Sequence, residues 1–159
     1  KNGNWKSNLF THISYSNAEI DNHGVFHESH NHHQGDGFMD APKVKQINLL
    51  NRWDYRGNNK YHIAFIARGL SDIRESGQVQ SDKIPDPYIV NVDNTLLEFI
   101  SKIGLIQPNI SGKSAGLQSS LRYHNQEAIF GNNNYMSTQK SLHINFIFLS
   151  CLLTMKLLR

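Results

Sequence analysis

Residues 27–40, HESHNHHQGDGFMD, concentrate more chemistry than any other stretch of the chain. His27, His30, His32 and His33 are imidazoles within seven positions, and Asp36 and Asp40 bracket a glycine turn. Two kinds of ion chemistry are open to them. Read as a loop of the D-x-N-x-D-G type, alternate positions point inward and a glycine permits the sharp turn. His32, Gln34, Asp36 and Asp40 would then supply a calcium-type ligand set, with the Phe38 carbonyl between them. An imidazole in the first ligand position is poor for calcium, a hard cation that prefers oxygen. A softer ion would instead recruit His30, His32 or His33, although their spacing matches no standard zinc pattern. A plainer reading needs no ion. Gly35 and Gly37 take positive φ, Asp36 caps backbone amides, and the stretch is a solvated turn. Turn chemistry favours this last reading, so no cofactor is required and calcium is the one to test.

Catalytic constellations are missing. The sequence has no G-x-S-x-G, no H-E-x-x-H, no phosphate loop and no cysteine–histidine pair at a known spacing. Gly112–Lys113–Ser114 lacks the upstream glycine of a phosphate loop. The chain reads as a non-enzyme.

The elements that must position this loop alternate with period two. Leu9, Thr11, Ile13 and Tyr15 share one face of a strand. Ile47, Leu49, Trp53 and Tyr55 do so in the next, with Leu50 out of pattern. Tyr61, Ile63, Phe65 and Ala67 follow, then Thr95, Leu97, Phe99, Ile103 and Leu105. Ala115, Leu117, Leu121 and Tyr123 make a fifth set, and Leu142, Ile144, Phe146 and Phe148 a sixth. Six half-apolar segments of strand length predict an all-β protein, an antiparallel up-and-down meander. Connections are expected to be long at 16–42, tight at Arg56–Asn59, long at 71–93, short at Gln107–Lys113 and long at 125–139. That rhythm suits a sheet whose two ends have different surroundings. Trp53, Tyr55 and Tyr61 gather at the short-turn end, as in an interfacial aromatic girdle or in cross-strand packing of a hairpin.

The 159 residues allow one domain with a core, yet only 38% are hydrophobic. A formal charge of +3, scattered along the chain, gives no footprint for nucleic acid. Cys151 is the single cysteine, so no internal disulfide or cysteine metal cluster forms. The opening KNGNWKSNLF carries no signal-peptide h-region, and no apolar run reaches the length of a transmembrane helix. A β-strand needs only about 9–11 residues to cross a bilayer.

With these elements in place, GDGFMDAPKVKQINLLNRWDY resembles a segment of TonB-dependent outer-membrane receptors of Bacteroides-like bacteria. Asp36, Gly37, Phe38, Asp40 and Pro42 match a DGF-x-D-x-P knot. Lys45, Gln46, Asn48, Asn51, Arg52 and Trp53 match the strand after it. The resemblance implies that residues 1–149 are early strands of a transmembrane β-barrel, a fragment of a receptor built from about 22 strands. It implies an outer-membrane location and a scarce nutrient as cargo: a ferric siderophore, haem, cobalamin or glycan. A TonB-type energy transducer would act through a plug domain, which this chain lacks. Outer-membrane lipid would cover Leu97, Phe99, Leu117, Leu121, Ile144 and Phe146, while Arg52, Arg68, Lys102, Arg122 and Glu98 would face a polar lumen. Residues 150–159 break the alternation and read as an atypical tail, a truncation, a shifted frame or a short amphipathic helix. The competing reading is a soluble all-β binding module with a calcium- or metal-responsive loop. It requires a second layer over the apolar faces.

Overall fold

The computed structural model describes residues 4–19, 37–57, 60–79, 84–106 and 113–150. Among them the chain is all-β. Six strands, β1 (Asn4–Ser16), β2 (Lys43–Gly57), β3 (Tyr61–Gly77), β4 (Ile89–Ile106), β5 (Lys113–Phe130) and β6 (Asn133–Ser150), form one sheet. Their order in the sheet is their order in the chain, and every neighbouring pair is antiparallel. The sheet is open. β1 and β6 are its edges, and no other strand pairs with their outer sides among the described residues.

The register carries the period-two pattern across the sheet. Thr11 faces Leu49, Leu49 faces Gly69, Gly69 faces Leu97, and Leu97 faces Tyr123. A register slip of one residue would turn every side chain to the opposite face. No slip occurs, so each apolar set read from the sequence lands on the same side. The opposite side holds His12, Asn48, Arg52, Asp54, Arg68, Glu98, Lys102 and Arg122. Leu50 sits there too, opposite Phe10, which accounts for its break in the pattern.

Two connections differ from expectation. Residues 125–139 are not a long loop: β5 runs on to Phe130, β6 begins at Asn133, and only Gly131 and Asn132 join them. A Gly-Asn pair between strands is a known two-residue hairpin signal, and Gly131 has φ 58°. The connection expected at 71–93 is shorter as well, because β3 continues to Gly77 and β4 starts at Ile89. The strands are therefore long. Eighteen residues extend about 60 Å at ~3.3 Å per residue, roughly twice the ~30 Å of a bilayer's hydrocarbon. On β4, β5 and β6 the apolar band fills the half nearer the tight β2–β3 turn, whereas on β1 and β2 it runs on through Ile13, Tyr15 and Ile47. The far halves of β5 and β6 carry runs that are polar on both faces, Asn125, Gln126 and Glu127 in the one and Ser137, Thr138 and Gln139 in the other.

Almost nothing is buried. Ala64 and Ala128 are the only hydrophobic side chains below the surface among the described residues, and Asp72 is the buried charge. All three lie on the polar face by register. In β2 the apolar-side positions Lys45, Ile47 and Leu49 are exposed, while Gln46, Asn48 and Leu50 between them are half-buried. Among the described residues no second layer covers either face. Along this part of β2 the polar face is thus the less exposed of the two and the apolar face the more exposed.

Candidate functional site

Three regions bear on function: the knot before β2, the charged row on the polar face, and the apolar band.

The knot is held by backbone geometry. Gly37 has φ 72°, as the turn reading requires, and Phe38 forms an isolated antiparallel bridge with Gln78. The amide of Met39 donates to the Gly77 carbonyl and that of Val79 to the Gly37 carbonyl, each at 2.8 Å. The Phe38 and Tyr88 rings lie 6.5 Å apart. Of the side chains considered as ion ligands, only that of Asp40 is described; the Phe38 backbone, whose carbonyl would stand between them, is described too. Asp40 lies exposed in the bend leading to β2. His30, His32, His33, Gln34 and Asp36 lie outside the described residues, as do His27 and Gly35. Among the described residues no group of three or more His, Cys, Asp or Glu side chains is close enough to hold a metal.

The polar face brings its charges together in pairs. Arg68, Glu98 and Arg122 occupy one row across β3, β4 and β5. Glu98 Oε1 accepts from Arg122 Nε at 2.9 Å and from Nη2 at 2.5 Å. In β2, Arg52 donates to both oxygens of Asp54 at 2.7 and 2.8 Å, and His62 Nε2 lies 3.4 Å from Asp54 Oδ1. Arg74 does the same for Asp72 at 3.2 and 3.1 Å. Each pair sets a guanidinium against a carboxylate in charge-assisted hydrogen bonds, which fix the position of both groups. Arg52, Arg68, Lys102, Arg122 and Glu98 thus share one face, as expected. The diagonal contact of His62 with Asp54 was not foreseen, although both residues lie close to the tight turn.

The apolar band is exposed. Leu97, Phe99, Leu117, Leu121, Ile144 and Phe146 are all on the surface, between 39% and 68% accessible. Phe65 and Phe99 stack at 6.0 Å, and Trp5 packs on Tyr55 at 5.0 Å across the β1–β2 pair. Trp5 thereby joins the aromatic cluster at the tight-turn end. Hydroxyl and amide groups within the band pair with one another. Ser101 Oγ and Ser119 Oγ are 2.8 Å apart, and Ser7 Oγ donates to Asn51 Oδ1 at 2.9 Å. An open groove of about 630 Å³ runs over this band, lined by Ala67, Leu97, Phe99, Leu121 and Leu142 among others, with Lys140 5.9 Å above the Tyr123 ring.

Tyr88, Gln78 and Gly131 were not singled out by sequence reasoning, because all three fall in stretches read as loops. The one usable signal was Phe38, an aromatic residue in a polar knot that requires a packing partner. No family model, curated protein or solved structure matches the chain.

Proposed function

We propose that this chain is part of the wall of a TonB-dependent outer-membrane receptor, a transporter that imports a scarce nutrient. The observation that carries the reading is the inverted amphipathicity of the sheet. Large aliphatic and aromatic side chains cover the more exposed face, and ion pairs occupy the inner one. In water such a face is a liability. In a bilayer it is the required surface, since a transmembrane barrel alternates lipid-facing apolar residues with lumen-facing polar ones.

Three further features support it. The paired Ser101–Ser119 and Ser7–Asn51 groups satisfy polar atoms where lipid offers no partner. The band is slanted relative to the hydrogen-bonded rows. It reaches Tyr15 at the far end of β1, yet on β6 it gives way to Lys140, which lies in the same row as Thr11. Strands tilted to a membrane normal produce such a slant. In the far halves of β5 and β6, the runs Asn125–Glu127 and Ser137–Gln139 are polar on both faces and suit a rim standing in water.

Under this reading the outer-membrane lipid meets the apolar band. The inner face meets water and a plug domain, through which a TonB-type transducer would act. Ferric siderophores, haem, cobalamin and glycans are the candidate cargo classes. A soluble binding module would need a second layer over the apolar face, and the described residues provide none.

The test is lipid exposure in the intact protein, with Cys151 replaced by serine. Single cysteines at Phe99, Leu121 and Ile144, labelled with an environment-sensitive fluorophore, should be quenched by brominated acyl chains. Labels at Lys102 and Gln118 should be quenched by aqueous iodide instead. Equal aqueous quenching at both sets would overturn the membrane reading.

A further inference from the structure

The connections at the outer end of the sheet belong to three separate hairpins, β1–β2, β3–β4 and β5–β6. They are nevertheless tied to one another. The knot is bridged to the β3–β4 connection through Phe38 and Gln78, with Met39 and Val79 bonded to Gly77 and Gly37. Gln78 in turn holds Tyr88 twice. Its amide donates to the Tyr88 carbonyl at 2.8 Å, and its side-chain Oε1 accepts from the Tyr88 amide at 2.9 Å. Gly131 of the β5–β6 turn donates to the Ile89 carbonyl at 2.8 Å.

Space as well as bonding converges on Tyr88. A Cβ on Gly131 would lie 2.5 Å from Tyr88 Cε2, so the ring rests directly against the turn. A Cβ on Gly77 would collide with the Tyr88 carbonyl oxygen. The ring's other neighbour is Phe38. Both glycines also have positive φ, 121° at Gly77 and 58° at Gly131, and Gly37 has 72°. Three hairpin ends thus each place a glycine where an L side chain is disfavoured, and two of those glycines abut the same tyrosine.

We propose that Phe38, Gln78, Tyr88 and Gly131 form a clasp that makes the outer ends of the three hairpins open and close as one unit, with Tyr88 at its centre. Backbone pairing of β2 with β3 and of β4 with β5 joins the hairpins as far as the pairs Lys43 with Glu75 and Val90 with Phe130. Beyond those pairs the clasp supplies the coupling, and displacing one aromatic ring releases the three hairpin ends together. The DGF segment then has a structural task, which is to deliver Phe38 to Tyr88. This inference concerns the fold's own coupling and does not rest on the membrane reading.

Amide hydrogen exchange of the full chain in detergent micelles tests it. Tyr88→Ala should raise exchange at Met39, Val79 and Gly131 together, by about tenfold or more, with Phe65–Ala67 and Phe99–Ser101 unchanged. Tyr88→Phe should leave all of them protected, because the ring rather than the hydroxyl makes the contacts described. If Tyr88→Ala disturbs the strands themselves, the decision passes to Phe38→Ala, which alters a partly exposed side chain. That variant should still accelerate exchange at Gly131, whose own bond is to Ile89 and not to the knot. Unchanged Gly131 protection in Phe38→Ala, or loss confined to the residues adjoining each substitution, would overturn the clasp.

Discussion

Phe65 on β3 and Phe99 on β4 stack with ring centroids 6.0 Å apart and planes 19° from parallel, on a face that no second layer covers among the described residues. In a soluble sheet such a pair would sit in a core. Here Phe99 is 42% exposed and continues a band through Leu121 and Leu142. If lipid completes that band, a charge at its centre must be costly. Phe99→Arg in the intact protein should lower stability by roughly 2–4 kcal/mol, measured by urea unfolding in lipid vesicles. Lys102→Arg, on the opposite face, should change it by less than about 0.5 kcal/mol. Equal effects would sink the assignment of the two faces.

Glu98 and Arg122 should be coupled but only modestly. The Glu98 side chain is 10% exposed and that of Arg122 49%, so water screens half of the pair. A double-mutant cycle with Glu98→Gln and Arg122→Gln should return a coupling of roughly 0.5–1 kcal/mol. It should shrink as salt is raised. A coupling that ignores ionic strength would show that the inner face is dry.

Lys43, at the start of β2, bonds to Glu19 at 2.6 Å and to Glu75 at 2.9 Å. Hydrogen bonds donated to these two carboxylates, Glu19 first, hold its ammonium above the ordinary lysine value of 10.5. A raised folded-state value stabilises the charged form. The contribution is fully present below 10.5 and is lost as pH rises through the higher folded-state value. An NMR titration of the Lys43 side chain should therefore show a midpoint above 10.5, moving back toward 10.5 in Glu19→Gln. A midpoint at or below 10.5 in the unmodified chain would contradict the two contacts.

Gly77 and Gly69, both in β3, should respond oppositely to alanine. At Gly77 a Cβ meets the Tyr88 backbone and the φ of 121° is unfavourable, so Gly77→Ala should cost at least about 1–3 kcal/mol. At Gly69 the nearest atom is Leu97 Cδ2 at 3.7 Å, an ordinary contact, and alanine should be neutral or slightly stabilising. Denaturant midpoints of the two variants in the same detergent decide the matter.

Alternation in the sequence was sufficient to determine the all-β class, the six strands, their order and the side on which each apolar residue stands. The reason is physical. A period of two leaves one register that keeps Leu49, Leu97, Leu121 and Phe146 together, and short turns such as Arg56–Asn59 force neighbours to pair. The strand ends were not legible. From Asn125 to Lys140 polar residues stand on both faces, so alternation fades and a hairpin looks like a loop; only backbone pairing across Gly131 and Asn132 reveals it. The clasp was hidden for a related reason. Phe38, Tyr88 and Gly131 are far apart in the chain, and neither spacing nor composition says that a tyrosine ring will rest on a distant glycine. The tertiary structure decided that, by bringing three hairpin ends to one edge of the sheet. It also decided which face is the less exposed, because that depends on how neighbouring strands crowd each side chain and not on alternation alone.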